Sequence, residues 1–145
     1  MAASGRRILV PLDGSETSEA VLAHARKLAK ADGSELVLLQ VANSTAEIFN
    51  DPAIAADDLQ SVASADKSYM EGLLARLKSE GALASVEIRQ GPIAETILDV
   101  AVEMKVDMIA MSTHGRTGLQ KLLMGSVTEW MIKNSPVPVL VIRPK

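Results

Sequence analysis

The sequence predicts an α/β fold, a five-stranded parallel, doubly wound sheet with helices on both faces. Three observations lead to this prediction. Short apolar runs bounded by charged residues recur along the chain, and such runs are typical of strands buried on both faces. These runs alternate with stretches of helical periodicity, as in parallel α/β domains. The chain has 145 residues, of which 48% are hydrophobic, so residues 1–145 are predicted to form a single domain around a substantial core.

The first predicted strand is the apolar run Arg6–Leu12. A helix follows it, because Ser15 can cap a helix start and apolar residues then recur at helical spacing. The helix is expected to end at Gly33, since glycine commonly terminates helices. The second strand is predicted over Glu35–Val41, a continuous apolar run.

The middle of the chain contains one long connection and two further elements. Asn43 to Asp57 is polar and interrupted by Pro52, which predicts an irregular segment. Apolar residues then recur at helical intervals through Asp58–Glu80, and this pattern stops at Gly81. The third strand, Ala84–Gln90, shows partial alternation of apolar and polar residues.

The last part of the chain completes the alternation. Pro92 predicts the start of a third helix, with proline at its first position. The fourth strand is predicted over Val106–Ser112 and the fifth over Val137–Arg143. Between these strands, the sequence predicts a last helix from Ser126 to about Asn134.

Composition excludes several classes of function. The formal net charge is −3, and the chain has one Trp, one Tyr and one Phe, whereas nucleic-acid-binding domains normally show a basic face or stacking aromatic residues. The absence of cysteine excludes disulfides and thiol catalysis. The apolar runs are shorter than a membrane span, and the N-terminus lacks a signal-type apolar core. We therefore expect a cytoplasmic protein that binds neither membrane nor nucleic acid.

Two segments are candidates for a ligand site. Open parallel sheets bind ligands beyond the carboxyl ends of their strands, where the strand order reverses. Pro11–Ser15 follows the first strand and Ser112–Glu129 follows the fourth, and both differ from simple connections. If these two strands are neighbours, both segments border one crevice.

Asp13 has two possible roles. Its carboxylate can accept hydrogen bonds from a sugar hydroxyl or an exocyclic amine. Together with Gly14 and Ser15, it also fits a plain turn that caps the following helix. Local sequence favours the turn.

The segment after the fourth strand is rich in glycine, with Gly115, Gly118 and Gly125. Glycines let a backbone approach a ligand closely, and a helix start at Gly125 and Ser126 would offer free N–H groups to a phosphate. However, Ser126 to Glu129 also matches the capping box S-x-x-E, which explains the serine without a ligand. The two interpretations are evenly matched. The Walker A loop and the Rossmann G-x-G-x-x-G pattern are both absent.

The last strand indicates a partner. Pro136, Pro138 and Pro144 lie in or beside it, and proline in a strand is typical of a sheet edge. A bare hydrophobic edge invites pairing with another chain. Pairing with the same edge of a second copy would cover Val139–Ile142 and give a two-fold dimer. A loop or the C-terminal tail covering the edge is the alternative.

Two long stretches resemble the universal stress protein family. They are ILVPLDGSE near the start and GPIAETILDVAVEMKVDMIAMSTHGRTGLQKLLMGSVTEWMIKNSPVPVLVIRP toward the end, so the likeness covers nearly the whole chain. The nucleotide-binding branch of that family carries the motif G-x2-G-x9-G-[ST]. Gly115 matches the second glycine, and Gly125 and Ser126 match the end of the motif at the same spacing. Ser112 occupies the position of the first glycine.

The resemblance implies a Rossmann-like fold of the adenine nucleotide alpha hydrolase type, with strand order 3-2-1-4-5. It also implies a homodimer through Val137–Ile142 and binding of ATP, with Mg2+ or Mn2+ held mainly by the phosphates. Pro11 and Asp13 would lie near the nucleoside, and the backbone of Val41 would contact adenine. The positions that match the family's nucleotide site are Pro11, Asp13, Val41, Ser112, Gly115, Gly125, Ser126 and Val127.

Three functions fit these observations. The predicted one is an ATP-binding stress-response regulator that senses nucleotide as a dimer. The second is a slow ATP-hydrolysing enzyme, for which the sequence offers only Asp13 as a weak catalytic candidate. The third is a nucleotide-free dimeric scaffold of the same fold, which Ser112 favours and the retained glycines oppose. We assign no catalytic residue and no protein metal ligand.

Overall fold

The structure is a computed structural model that describes residues 5–12, 16–42, 56–112 and 119–142. Strands and helices alternate along these ranges, as predicted. The elements are β1 (Arg7–Leu12), α1 (Glu16–Asp32), β2 (Glu35–Ala42), α2 (Ala56–Ser79), β3 (Ala84–Gln90), α3 (Ile93–Glu103), β4 (Met108–Ser112), α4 (Leu119–Asn134) and β5 (Val139–Ile142).

The five strands form one parallel sheet in the order β3-β2-β1-β4-β5. The predicted fold class and strand order are therefore confirmed. β1 is central, since Leu9 pairs with Val37 of β2 on one side and with Ile109 of β4 on the other. We call the end of the sheet where the strands begin the amino edge, and the end where they finish the carboxyl edge.

Residues of each strand alternate between two hydrophobic clusters, one on either face of the sheet. The first cluster, the α1–α2 layer, includes the buried residues Val10, Val21, Leu38 and Met70. The second cluster, the α3–α4 layer, includes the buried residues Leu9, Leu39, Ile97 and Met131. Each fully buried leucine contributes roughly 2 kcal/mol, so both layers stabilise the sheet.

Two helices end at the glycines that the sequence predicted. Gly33 follows α1 with φ +75°, and the N–H groups of Gly33 and Ser34 donate to the Ala29 carbonyl at 2.7 and 3.1 Å. Gly81 lies beyond α2 with φ +86°, where Ala82 N–H donates to the Leu77 carbonyl at 2.9 Å. Both glycines adopt the left-handed conformation, which costs glycine little because it has no side chain.

A lysine just beyond the end of α3 adopts the same left-handed conformation. Lys105 has φ +53°, a region that costs a non-glycine residue about 1–2 kcal/mol. Val106 N–H donates to the Ala101 carbonyl at 3.1 Å, and Arg7 Nη1 donates to the Met104 carbonyl at 2.8 Å. These bonds hold the strained helix end against the first strand.

Arg7 and its neighbours tie the amino edge together. Arg7 N–H donates to Asp107 Oδ2 at 2.8 Å, and the Arg7 carbonyl accepts from Asp107 N–H at 2.8 Å. Arg7 Nε donates to Glu35 Oε1 at 3.1 Å. One arginine therefore connects the starts of β1 and β2 with the segment that leads into β4.

Several element boundaries differ from prediction by one or two residues, and among them β4 begins at Met108 rather than Val106. Pro92 is the residue before α3, with φ −61° and ψ 133°, so it lies one position earlier than predicted. β5 begins at Val139 rather than Val137. Pro138 precedes the strand because it has no N–H to donate, although its carbonyl accepts from Ile109 N–H at 3.0 Å. Arg143, the predicted end of the strand, lies outside the described residues.

The predicted start of the last helix is wrong. α4 begins at Leu119 and continues to Asn134, so Gly125 and Ser126 lie in its interior rather than at its start. Leucine, glutamine, lysine and methionine fill the sequence from Leu119 to Met124, and all four are good helix formers. Their combined propensity carries the helix through Gly125, and the capping-box pattern at Ser126 does not mark the helix start.

Candidate functional site

The carboxyl edge between β1 and β4 is the place where the sequence predicted a ligand crevice. β1 ends at Leu12 and β4 ends at Ser112, and these strands are paired neighbours. The strand order reverses between them, which is where open parallel sheets bind ligands. Asp13 and Gly115 belong to the two connections that leave these strands, and both lie outside the described residues.

Three of the predicted site residues lie on the same face of the sheet. Val41 and Val127 both belong to the α3–α4 layer, where Val41 is half-buried and Val127 is buried. Pro11 is buried, and strand alternation places it on the same face as Leu9 of that layer. Ile93, at the start of α3, packs against the same cluster. This face therefore offers an apolar wall at the carboxyl edge.

The backbone of Val41 faces the crevice. Glu35 N–H donates to the Arg6 carbonyl of the neighbouring chain segment at 2.9 Å, whereas Leu36 N–H donates to the Leu83 carbonyl at 2.8 Å. Every second residue of β2 therefore directs its backbone groups toward β1, and Val41 belongs to that set. Its carbonyl points past Leu12, the last residue of β1. A ligand amine in the crevice can donate to an acceptor in this position.

Ser112 lies on the opposite face of the sheet. It is 2% exposed, and it alternates with Met111 of the α3–α4 layer and matches Ala110 of the α1–α2 layer. Its side chain is therefore directed away from the wall formed by Pro11 and Val41. The serine side chain therefore occupies space in the α1–α2 layer and takes none from the wall.

Thr128 fixes α4 to the end of β4. Its hydroxyl Oγ1 donates to the Ser112 carbonyl at 2.8 Å, in a buried position. Sequence reasoning missed this contact. The available signal was a threonine two positions after Ser126 and one turn before Met131, on the side of the helix that faces the core. The bond sets the position of α4 relative to the crevice.

Gly125 and Ser126 lie at the carboxyl edge, but inside α4. In an α-helix each N–H donates to the carbonyl four residues earlier. The N–H groups of Ser126 and Val127 are therefore engaged along the helix in this conformation. The free helix start that the sequence predicted at Ser126 is replaced by one about two turns earlier, at Leu119.

Gln40 is a second residue that sequence reasoning missed. It is 8% exposed, and its side-chain Oε1 has no hydrogen-bond partner in the structure as far as it is described. It pairs with Leu12 of β1 and Ile88 of β3 in the last rows of the sheet. An unpaired buried acceptor costs about 1–3 kcal/mol, so the carboxyl edge contains an unsatisfied polar group.

Arg89 is a cation beside the apolar wall, in register with Val41. Its guanidinium donates to Glu103 at 2.9 and 3.1 Å and to Glu87 at 3.4 Å. The hydrogen bond with Glu103 raises the pKa of Arg89 and lowers the pKa of the Glu103 carboxyl. Because two carboxylates already neutralise it, Arg89 is poorly suited to bind a phosphate.

The described ranges contain neither a cluster of metal-binding side chains nor a helix that could span a membrane. No group of three or more His, Asp or Glu side chains lies close enough together there to hold a metal ion. Likewise, none of the helices within those ranges combines the length and apolar character needed to cross a bilayer.

The chain is similar to known proteins over almost its full length. The universal stress protein family matches residues 5–143. Universal stress protein MJ0531 of Methanocaldococcus jannaschii is 32% identical over 142 residues, which cover 95% of this chain and 82% of the relative.

Solved structures show the same similarity. The structure of MJ0577, also a universal stress protein of M. jannaschii, has a TM-score of 0.81 and 34% identity, and it covers 97% of this chain and 96% of the other. A universal stress protein family protein from Arabidopsis thaliana with AMP bound has a TM-score of 0.67 and 15% identity, and it covers 97% of this chain and 92% of the other. At that identity the likeness concerns the fold alone.

Proposed function

This chain belongs to the universal stress protein family, and on that premise we propose that it binds ATP between the carboxyl ends of β1 and β4 and acts as a nucleotide-sensing stress regulator. The observation that carries the proposal is the parallel pairing of β1 with β4 at the reversal of strand order, because the connections that follow Leu12 and Ser112 then leave the same edge of the sheet. The Arabidopsis protein with AMP bound supports the proposal, since it shares this fold.

The adenine base would lie against the apolar wall. This face is bordered by Pro11, Val41 and Ile93. Packing there would remove the apolar surface of the flat aromatic base from water, which is favourable. The Val41 carbonyl would accept from the exocyclic amine of adenine. Guanine has a carbonyl oxygen at the equivalent position. That oxygen and the Val41 carbonyl are both acceptors and would repel each other, so the arrangement favours adenine nucleotides.

The ribose and phosphates would lie along the connections that leave β1 and β4. Asp13 would accept from a ribose hydroxyl, and Gly115 would let the backbone approach the phosphates. Gly125, Ser126 and Val127 would border the terminal phosphates, where the glycine leaves room for them and the Ser126 hydroxyl would donate to a phosphate oxygen. Mg2+ or Mn2+ would be held mainly by the phosphate oxygens, and its role would be to neutralise charge between them.

The dimer would form through β5. All four residues of Val139–Ile142 are half-buried in the single chain, and the strand lies at the end of the strand order. Pairing two copies of this edge would bury those side chains and satisfy the outward backbone groups. Because β5 pairs with β4 through Ser112 and Ile142, the dimer interface would lie one strand away from the nucleotide.

A regulatory role is favoured over an enzymatic one. Hydrolysis needs a base or a positioned water at the terminal phosphate, and the described residues at the carboxyl edge provide neither. Asp13 remains the weak candidate for a slow ATPase. A nucleotide-free scaffold is the third alternative, but Ser112 no longer favours it, because its side chain lies on the opposite face from the wall.

Calorimetric titration of nucleotide-free protein tests the proposal. We expect ATP to bind with micromolar affinity, and to bind more tightly than GTP. Gly125→Leu should abolish binding without unfolding the protein. Gly72→Leu is the matched control, since Gly72 also lies inside a helix and an added side chain meets nothing within 4 Å. Absence of heat with ATP, ADP and AMP, or unchanged binding by Gly125→Leu, would contradict the proposed site.

A further inference from the structure

We propose that the outer edge of β3, together with the groove between β3 and α2, binds an extended acidic segment of a partner protein. β3 lies at the end of the strand order, and within the described residues no strand pairs with its outer side. Such an edge presents a row of backbone donors and acceptors to which a partner strand can add. This surface is at the opposite end of the strand order from β5, and the proposal does not depend on nucleotide binding.

The backbone groups that face outward from β3 belong to Ala84, Val86 and Ile88. Leu36 N–H of β2 donates to the Leu83 carbonyl at 2.8 Å, so Leu83 and every second residue after it direct their backbone groups toward β2. The residues between them direct theirs away from the sheet. A partner strand that lies along this edge can therefore donate to, and accept from, these three residues.

A groove runs between this edge and α2. Its volume is about 410 Å³, and its apolar lining includes Leu74 of α2 and Ala84, Val86 and Ile88 of β3. Ile88 is 39% exposed, an unusual degree of exposure for a large hydrophobic side chain in a strand of this sheet. A strand added to β3 would direct every second side chain toward this groove. Apolar side chains at those positions would remove Ile88 from water, which is favourable.

Two lysines of α2, Lys67 and Lys78, border the groove. Both are exposed, and neither forms an ion pair with another described residue. They are eleven residues apart in α2, which is about 16 Å along a helix and about five residues of an extended segment. Acidic residues at that spacing in a partner would complement the two lysines, with uncharged side chains between them near Glu71.

The opposite face of β3 is bonded to α3. Arg89 lies on that face, because side chains alternate along a strand and Val86 packs in the α1–α2 layer. Its guanidinium donates to Glu103 of α3 at 2.9 and 3.1 Å. This bond holds β3 in place without closing the groove. A strand that is already ordered loses little conformational freedom when a partner adds to it, which favours binding.

Fluorescence anisotropy with a labelled synthetic peptide tests the role of charge. The probe is a seven-residue peptide with glutamate at both ends, valine at the third and fifth positions and threonine elsewhere, and its control has lysine at both ends. We expect the acidic peptide to bind and the basic peptide not to bind. Lys67→Gln combined with Lys78→Gln should weaken binding of the acidic peptide about tenfold. Lys27→Gln combined with Lys30→Gln, at exposed positions of α1, should leave it unchanged.

A substitution at Ile88 tests the role of the backbone. Ile88→Pro removes the outward N–H group and leaves the bonds between β3 and β2 in place, whereas Ile88→Ala also removes the isoleucine side chain but keeps the N–H group. We expect the proline variant to bind the acidic peptide about fivefold more weakly than the alanine variant. An acidic peptide that is N-methylated at every residue gives a matching test on the unchanged protein, and it should not bind.

Four results would overturn the proposal. They are failure of the acidic peptide to bind, an equal loss of binding in the two lysine pairs, equal binding by the two Ile88 variants, and undiminished binding of the N-methylated peptide. Self-association of the wild-type chain that Ile88→Pro abolishes would also overturn it, because the occupant of the edge would then be a second copy. ATP binding should be unchanged in all these variants, so the outcome for this surface is separate from the outcome for the nucleotide site.

Discussion

The two edges of the sheet differ in how strongly side chains bond one element to another. At the amino edge, Arg7 bonds to Asp107, to Glu35 and to the end of α3 at Met104. At the carboxyl edge, Gln40 has a buried acceptor that no group in the described structure satisfies. Side-chain bonds at the amino edge join elements to one another, although Ser85 Oγ near the start of β3 also has no partner in the described structure. At the carboxyl edge the described residues provide the apolar wall and the unpaired Gln40 acceptor. The side-chain bonds between elements described above thus lie mainly at the amino end of the strands, and the proposed nucleotide site lies at the opposite end.

The largest expected effect concerns the bond between α4 and the end of β4 at the carboxyl edge. Thr128→Val removes the hydroxyl that donates to the Ser112 carbonyl at 2.8 Å in a buried position. We expect a loss of about 1.5 kcal/mol in the free energy of unfolding, together with weaker ATP binding because α4 is less firmly positioned. Urea denaturation and calorimetry measure the two effects. Thr96→Val, at a half-buried position of α3, is the control, and an equal loss there would remove the special role of Thr128.

At the amino edge, Arg7→Met should lower stability without changing nucleotide affinity. The substitution removes the side-chain bonds to Glu35 and the Met104 carbonyl. Because the Arg7 side chain is 43% exposed, we expect a loss of only about 1 kcal/mol. Arg6→Met, at a side chain that is 65% exposed, should cost less. A change in ATP affinity for Arg7→Met would show that the two edges are coupled.

Gln40→Met should stabilise the protein. It replaces an amide whose buried Oε1 has no partner in the described structure with an apolar side chain of similar length, and the gain should be about 1 kcal/mol. Thermal unfolding of the nucleotide-free protein measures it. Gln90→Met, at the exposed end of β3, should have little effect. A destabilised Gln40→Met protein would mean that the amide has a partner in solution, and the contrast between the two edges would then be weaker.

The smallest expected effect is a pH dependence at the amino edge. The Ser34 hydroxyl and N–H donate to Asp32, and the hydroxyl bond is the main reason why the pKa of Asp32 is lowered. A carboxyl with a lowered pKa in the folded state adds stability above its unfolded pKa of about 3.9, and this stability is lost as the pH falls through the folded value.

Asp32→Asn should therefore reduce stability slightly at pH 7 and have no effect in strong acid. Urea denaturation across this pH range measures the difference. The difference should also shrink in a Ser34→Ala background, because the main cause of the lowered pKa is removed. A difference that persists in strong acid would assign the effect of Asp32→Asn to something other than its charge.

Sequence alone predicted the elements, and the family likeness added their order. Gly33 and Gly81 mark helix ends through their backbone freedom, so local sequence suffices to find them. Continuous apolar runs such as Glu35–Ala42 likewise identify buried strands. The order β3-β2-β1-β4-β5 depends on contacts between distant segments, and it came from the resemblance.

The candidate site was predicted less completely. The face on which Ser112 lies depends on the alternation within β4, which is read reliably only when the strand boundary is known. The bond from Thr128 and the unpaired amide of Gln40 depend on contacts across the fold. The start of α4 was wrong because a strong capping pattern at Ser126 competes with six good helix formers before it, and the local signals alone do not decide between them.

The division of the core into two layers has a consequence for variation in this chain. Neighbours such as Leu9 and Val10 belong to separate clusters, whereas Leu9 and Ile97 share one although they are far apart in sequence. Substitutions at adjacent strand positions should therefore combine additively, and compensation should arise between distant ones. One layer can drift in sequence to suit a new ligand or partner while the opposite layer preserves the fold.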